Sequence, residues 1–221
     1  MDPGCSARVG ERLPALMGKS TAPSYATRYA ELYRLPDEPE GKAAGGILVK
    51  IARVRKPIER VRRLFLSRGK LEFNGSLSLG AIGIQCPEPL GYGVNINPCG
   101  KVDSLFMCRH MDRHVMLSQL YQSMESEDQR MGVMAAVCED IATMMQAGFV
   151  HKDAQFENIL ADPDQPERCI WIDNDLKRVP VDRRGFEIRR IVDRLKFKTQ
   201  LGSGDEYRTF ENLLRERVEG V

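Results

Sequence analysis

Between His151 and Asp175 the chain reads His151-Lys152-Asp153-Ala154-Gln155-Phe156-Glu157-Asn158-Ile159-Leu160, then Ile170-Trp171-Ile172-Asp173-Asn174-Asp175. Nothing else in the sequence constrains the fold as much. A polar loop follows a long apolar-periodic stretch and runs into two strand-length apolar segments. That pattern calls for a helix, a loop and a hairpin, with the loop held on a rigid base. Asp153 and Asn158 lie five residues apart and Asp173 fifteen further on. This spacing lets three oxygen-bearing groups aim at one point. Taken singly, Asp153 and Asn158 also suit turn or capping positions.

Composition narrows the setting. A chain of 221 residues with 42% apolar and 29% charged residues can bury a core and suits one domain or two small lobes. A formal net charge of +2 gives no global attraction to nucleic acid, and no nucleic-acid partner is expected. Two basic clusters stand out locally, Arg53 to Arg68 and Arg183 to Lys198. The six cysteines are scattered without a C-x-x-C pair, and with three histidines there is no zinc-ligand spacing. They read as buried thiols of a reducing compartment. No signal-like or membrane-spanning apolar run is present.

Residues 1–22 are rich in Gly, Pro, Ser and Ala and read as a flexible entry segment. Gly18-Lys19-Ser20-Thr21 lacks the earlier glycine and the preceding strand that a P-loop requires. Tyr25 to Leu35 and Gly46 to Val54 read as antiparallel strands around a Pro- and Gly-dense turn. In the second strand Leu48, Lys50 and Ala52 share one face. A strand lysine often just meets solvent. Residues 67–83 predict a helix with Ser67 as N-cap and Gly83 as stop, one turn of which carries Glu72. Two further strands follow, around 84–94 and 104–108. Arg130 to Gly148 predicts a helix whose methionine stripe is core. Phe186–Phe197 and Asp205–Arg217 predict two amphipathic, basic helices.

The expected architecture is α+β and two-lobed. Residues 23–110 form a small antiparallel β-rich N-lobe with one helix, and 111–221 a compact, mostly helical C-lobe, with a cleft between them. If that cleft takes a nucleoside triphosphate, the polar residues acquire roles. Asp153 accepts a proton from an attacking hydroxyl, while Asn158 and Asp173 offer hard oxygen ligands to magnesium. Lys50 contacts the α/β-phosphates, and Glu72, 22 residues on, fixes its ammonium group. His151 supports the loop. Asp175 reads as a second acidic ligand or as a salt-bridge partner of Lys177 or Arg178.

The loop and the Ile172-Asp173-Asn174-Asp175 segment resemble the lipopolysaccharide core kinases, the heptose and Kdo kinases of Gram-negative bacteria, a branch of the protein-kinase-like fold. Further matches are Leu48-Val49-Lys50, Ser67 through Glu72, Ala81-Ile82-Gly83-Ile84-Gln85-Cys86-Pro87-Glu88-Pro89 and the arginine-rich stretch Arg183 to Leu195. The likeness spans roughly residues 25–215. It implies ATP- and Mg2+-dependent phosphorylation of a heptose or Kdo hydroxyl of the inner core. It implies a glycolipid or sugar acceptor and a cytoplasmic location, with room for peripheral contact with the inner membrane through the basic clusters. Carried over, Asp153 is the catalytic base, Asn158 and Asp173 hold the metal, and Lys50 and Glu72 position phosphate.

Two departures stand out. Lys152-Asp153-Ala154 replaces the family's small-residue-Asp-Leu run, so the substrate side of the loop differs. The stretch after Arg178 is too short for an activation segment, which disfavours a typical protein kinase. Competing expectations are a kinase-fold enzyme acting on a small metabolite or a protein side chain, and an inactive kinase-like scaffold.

Overall fold

The computed structural model describes residues 25–26, 30–35, 46–53, 67–96, 102–198 and 200–220. The 1–22 segment, the 36–45 turn and most of the basic Arg53–Arg68 run lie outside the described residues. The chain divides into two compact units, residues 1–74 with 88–111 and residues 75–87 with 112–221.

In the first unit, β1 (Tyr25–Ala26), β2 (Ala30–Leu35), β3 (Ile47–Arg53), β4 (Pro89–Ile96) and β5 (Val102–Arg109) form one antiparallel sheet. Its order is β1-β2-β3-β5-β4. Val49 and Ile51 are buried, as alternation along β3 predicts. Lys50 pairs across the sheet with Leu32 and the buried Phe106. The helix α1 (Arg68–Ala81) is capped as expected, the Lys70 N–H donating to Ser67 Oγ at 3.2 Å. Its first turn lies directly on β5. A Cβ at Gly69 would stand 2.0 Å from the Leu105 carbonyl oxygen, and the Gly69 N–H donates to Ser104 Oγ at 2.6 Å. Only glycine permits that approach, and it fixes the helix face that carries Glu72.

The second unit is built on α3 (Glu127–Gln146), which starts at the N-cap Ser126 and buries Met134, Val137, Cys138, Ile141, Met144 and Met145. The methionine stripe is core. A short helix, α2 (Leu117–Ser123), follows β6 (Val115–Met116); the sequence reading anticipated neither. Then come β7 (Phe149–His151), a 3-10 turn (Phe156–Asn158), β8 (Ile159–Asp162), β9 (Gln165–Trp171) and β10 (Leu176–Arg178). β8 pairs with β9 and β6, and β10 pairs with β7. The helices α4 (Arg184–Phe197) and α5 (Gly204–Glu219) close the core with Ile188, Ile191, Leu195, Phe210 and Leu214. Only Val179, Pro180 and a 3-10 turn (Val181–Arg183) separate β10 from α4, so the expected brevity of this connection holds. Cys108, Cys138 and Cys169 are buried free thiols, and burial pushes the latter two up to about 12.

Candidate active site

In the first unit the strand lysine and the helix carboxylate meet. Lys50 Nζ donates to Glu72 Oε1 at 2.8 Å, with the Lys50 side chain 14% and the Glu72 side chain 4% exposed. Solvation is the ordinary fate of either residue alone. Gly69 brings α1 close enough to the sheet to give both the other outcome. A carboxylate this buried requires its cation, since removing one partner of a buried pair costs about 3–5 kcal/mol.

In the second unit β7 delivers His151 into the core, 2% exposed and tilted against Trp171 with ring centroids 5.3 Å apart. Its Nδ1 accepts the Asp153 N–H at 3.2 Å, so the proton sits on Nε2, 3.2 Å from the Ile172 carbonyl that accepts it. Burial pushes the imidazole below its ordinary value, against the opposing pull of its backbone hydrogen bonds and of the Asp153 and Asp173 charges. His151 is a neutral strut. It ties the Asp153 loop to the strand end that carries Asp173.

Asn158 and Asp173 stand at one end of the β8–β9 hairpin, where the Ile172 N–H donates to the Asn158 carbonyl at 3.0 Å. Asn158 Nδ2 donates to the Asp153 carbonyl at 2.8 Å, so its Oδ1 is the atom that could face a metal ion. Asp173 has φ 56°, the left-handed region that Asp tolerates better than most side chains. The next residue drives that turn. Asn174 is 2% exposed, and its Nδ2 donates to Ser76 Oγ at 3.0 Å and to the Trp171 carbonyl at 3.1 Å. With Asn174 drawn inward, Asp173 stays at the surface.

Asp175 pairs with a cation that the sequence reading did not name. Its Oδ1 pairs with Lys152 Nζ at 2.6 Å, and Lys177 pairs instead with the buried Glu187 at 2.6 Å. The arginines of α4 are also differently employed. Arg194 Nη1 lies 2.9 Å from Asp153 Oδ1, and Arg190 and Arg194 both donate to the Lys152 carbonyl. Arg190 also pairs with Glu187 at 3.2 Å. These two arginines engage the Asp153 loop. The sequence marked the helix as basic and gave no sign of this partner.

Among the described residues no cluster of three His, Cys, Asp or Glu side chains is arranged to hold a metal alone. One amide oxygen and one exposed carboxylate at a hairpin end suit magnesium, which commonly takes one or two protein oxygens and completes its shell with phosphate and water. The residues present fit that ion.

This combination of an antiparallel sheet with a Lys–Glu pair and a helical unit with an Asp–Asn–Asp group is that of the protein-kinase-like fold. The structure of WaaP in complex with acyl carrier protein superposes with a TM-score of 0.59 at 16% identity, covering 100% of this chain and 87% of that one. WbdD bound to a kinase inhibitor gives 0.56 at 13% identity, covering 88% of this chain and 44% of the larger one. A MAP kinase from Leishmania major gives 0.50 at 13% identity, over 96% of this chain and 60% of the other. No curated protein matches the chain significantly in sequence. The model of the lipopolysaccharide kinase (Kdo/WaaP) family matches residues 52–212. The chain belongs to that family, and with it to the ATP-using phosphotransferases.

Proposed function

We propose that this protein transfers the γ-phosphoryl group of ATP to a heptose or Kdo hydroxyl of the lipopolysaccharide inner core, at the cytoplasmic face of the inner membrane. The observation that carries the reading is the grouping of Asp153, Asn158 and Asp173 about the buried His151. In this reading the acceptor oxygen attacks the γ-phosphorus and a new P–O bond forms. The bond to the β,γ-bridging oxygen breaks and ADP leaves with its electron pair. The hydroxyl proton passes to the Asp153 carboxylate and from there to solvent. Asn158 and Asp173 would hold Mg2+, which would supply positive charge against the phosphates. Lys50 contacts the α/β-phosphates, held in orientation by Glu72, within a nucleotide-positioning region 23–110.

The test offers labelled ATP with Kdo-lipid A, heptosylated core, free sugars and a generic protein. Label on a core sugar is expected, and label on protein alone overturns the assignment. Asp153→Ala is expected to lower turnover by about 10²–10⁴-fold, the usual worth of a positioned base. Nucleotide binding should be retained. Persisting turnover would remove Asp153 from the role.

A further inference from the structure

We propose that Arg194 is the positioning residue for Asp153, fixing the carboxylate that takes the acceptor's proton; the proposal rests on the phosphoryl-transfer reading above. Its guanidinium holds two points of the loop at once. Nη1 pairs with Asp153 Oδ1 at 2.9 Å and also donates to the carbonyl of the preceding residue, Lys152. One guanidinium nitrogen engaging both a side chain and the adjoining backbone fixes the carboxylate's rotation relative to its own chain. Oδ2 is then left available to an acceptor hydroxyl.

Among the described residues no other cation pairs with the Asp153 carboxylate. Lys152 is turned to Asp175 at 2.6 Å, Arg190 reaches the Lys152 carbonyl but pairs with Glu187, and Gln155 carries no charge. The helix that presents Arg194 is rigid. Ile188, Ile191, Val192 and Leu195 anchor α4 in the core, and the buried Glu187 holds both Lys177 and Arg190 one to two turns earlier on the same face. Stability does not explain the pair, because its carboxylate side chain is 56% exposed and such pairs contribute little to folding. Its consequence is geometric. It also accounts for a basic helix whose central arginines face their own unit.

The experiment compares Arg194→Ala, Arg194→Lys and, as a control on an exposed residue of the same helix, Arg189→Ala. Arg194→Ala is expected to lower kcat about 10- to 100-fold, the range for losing a group that orients a functional side chain. KM for ATP and the melting temperature should stay close to wild type. Added guanidinium should restore part of the rate, Arg194→Lys should fall between, and Arg189→Ala should match wild type. A kcat equal to wild type overturns the proposal. So does a loss confined to KM for ATP, or one that neither guanidinium nor lysine relieves. If Arg194→Ala does not fold, Arg194→Lys decides through a lowered kcat at wild-type melting temperature. A wild-type protein that phosphorylates no sugar overturns the functional reading instead. ATP hydrolysis then serves as the readout: loss in parallel with Asp153→Ala sustains Arg194's role, and unchanged or absent hydrolysis ends it.

Discussion

Asp140 is a carboxylate that the reaction does not use but on which the site rests. Its Oδ2 accepts Trp171 Nε1–H at 2.7 Å, and Trp171 is wholly buried beside His151. Burial pushes Asp140 up to about 6, against the pull of the Trp171 hydrogen bond and with a smaller push from the Glu139 charge. Because this folded value lies above the unfolded one, the folded chain binds the extra proton. The stabilisation is complete below about pH 4 and is lost as pH rises through about 6. His151 works in the opposite sense: with its folded value lowered, stability is lost as pH falls below about 6.5. Asp140→Asn keeps an oxygen for the Trp171 N–H and removes one of these titrations. Urea melts followed by the fluorescence of the chain's one tryptophan should therefore favour the variant increasingly over wild type as pH rises from about 4 to about 6. A pH-independent difference between the two refutes the assignment. At this scale the sequence foretold that Asp153, Asn158 and Asp173 lie near one another, because they are close in the chain and keep a fixed spacing. It could not disclose Asp140–Trp171 or Arg194–Asp153, whose partners meet only after the helices pack, 31 residues apart in the first case. The ion-pair partner of Asp175 was ambiguous for the same reason: Lys177 and Arg178 are its near neighbours in the chain, and the β7–β10 register chose Lys152 instead.

The element that couples local sequence to site geometry is α1. Its first turn presses on β5 through Gly69, and further along Gly75 meets the Asp173 segment: a Cβ there would stand 1.8 Å from the Asn174 carbonyl oxygen. Gly80 of the same helix has nothing within 4 Å. The two glycines therefore respond oppositely to alanine. Gly75→Ala must push the Asn174 backbone away and should cost about 1–3 kcal/mol, the range of overpacking, with kcat falling as Asp173 moves. Gly80→Ala should gain about 0.5–1 kcal/mol from helix propensity alone. Denaturant midpoints of the two variants check this, and equal signs would refute the close packing. The helices α1, α3, α4 and α5 and strands β2 to β5 were legible because each repeats its apolar residues at a regular period and is bounded by caps or turn formers. The short pieces were not. α2, β6 and β10 are two to seven residues long, too short for a period, and tertiary packing defines them.

For the whole molecule, the family and fold assign ATP as phosphoryl donor, and no helix among the described residues is long and apolar enough to cross a membrane. Nucleotide binding can then be read from global unfolding. A ligand that binds only the folded chain stabilises it by about 2.7 kcal/mol at a hundred times its dissociation constant. For a chain of this length, each kcal/mol raises the melting temperature by about 2–4 °C. Mg·ATP at that concentration should therefore raise the melting temperature by about 5–10 °C. The variants divide by role. Asp153→Ala and Arg194→Ala should keep the shift, because neither is assigned to the nucleotide. Lys50→Met should lose most of it, and should also lower the starting melting temperature by leaving the Glu72 carboxylate, 4% exposed, without its cation. Asp173→Ala should retain only the shift that wild type shows with ATP in EDTA, because its contribution passes through the metal. A full magnesium-dependent shift in Asp173→Ala would remove that residue from the metal site, and a full shift in Lys50→Met would leave the Lys50–Glu72 pair with a purely structural role.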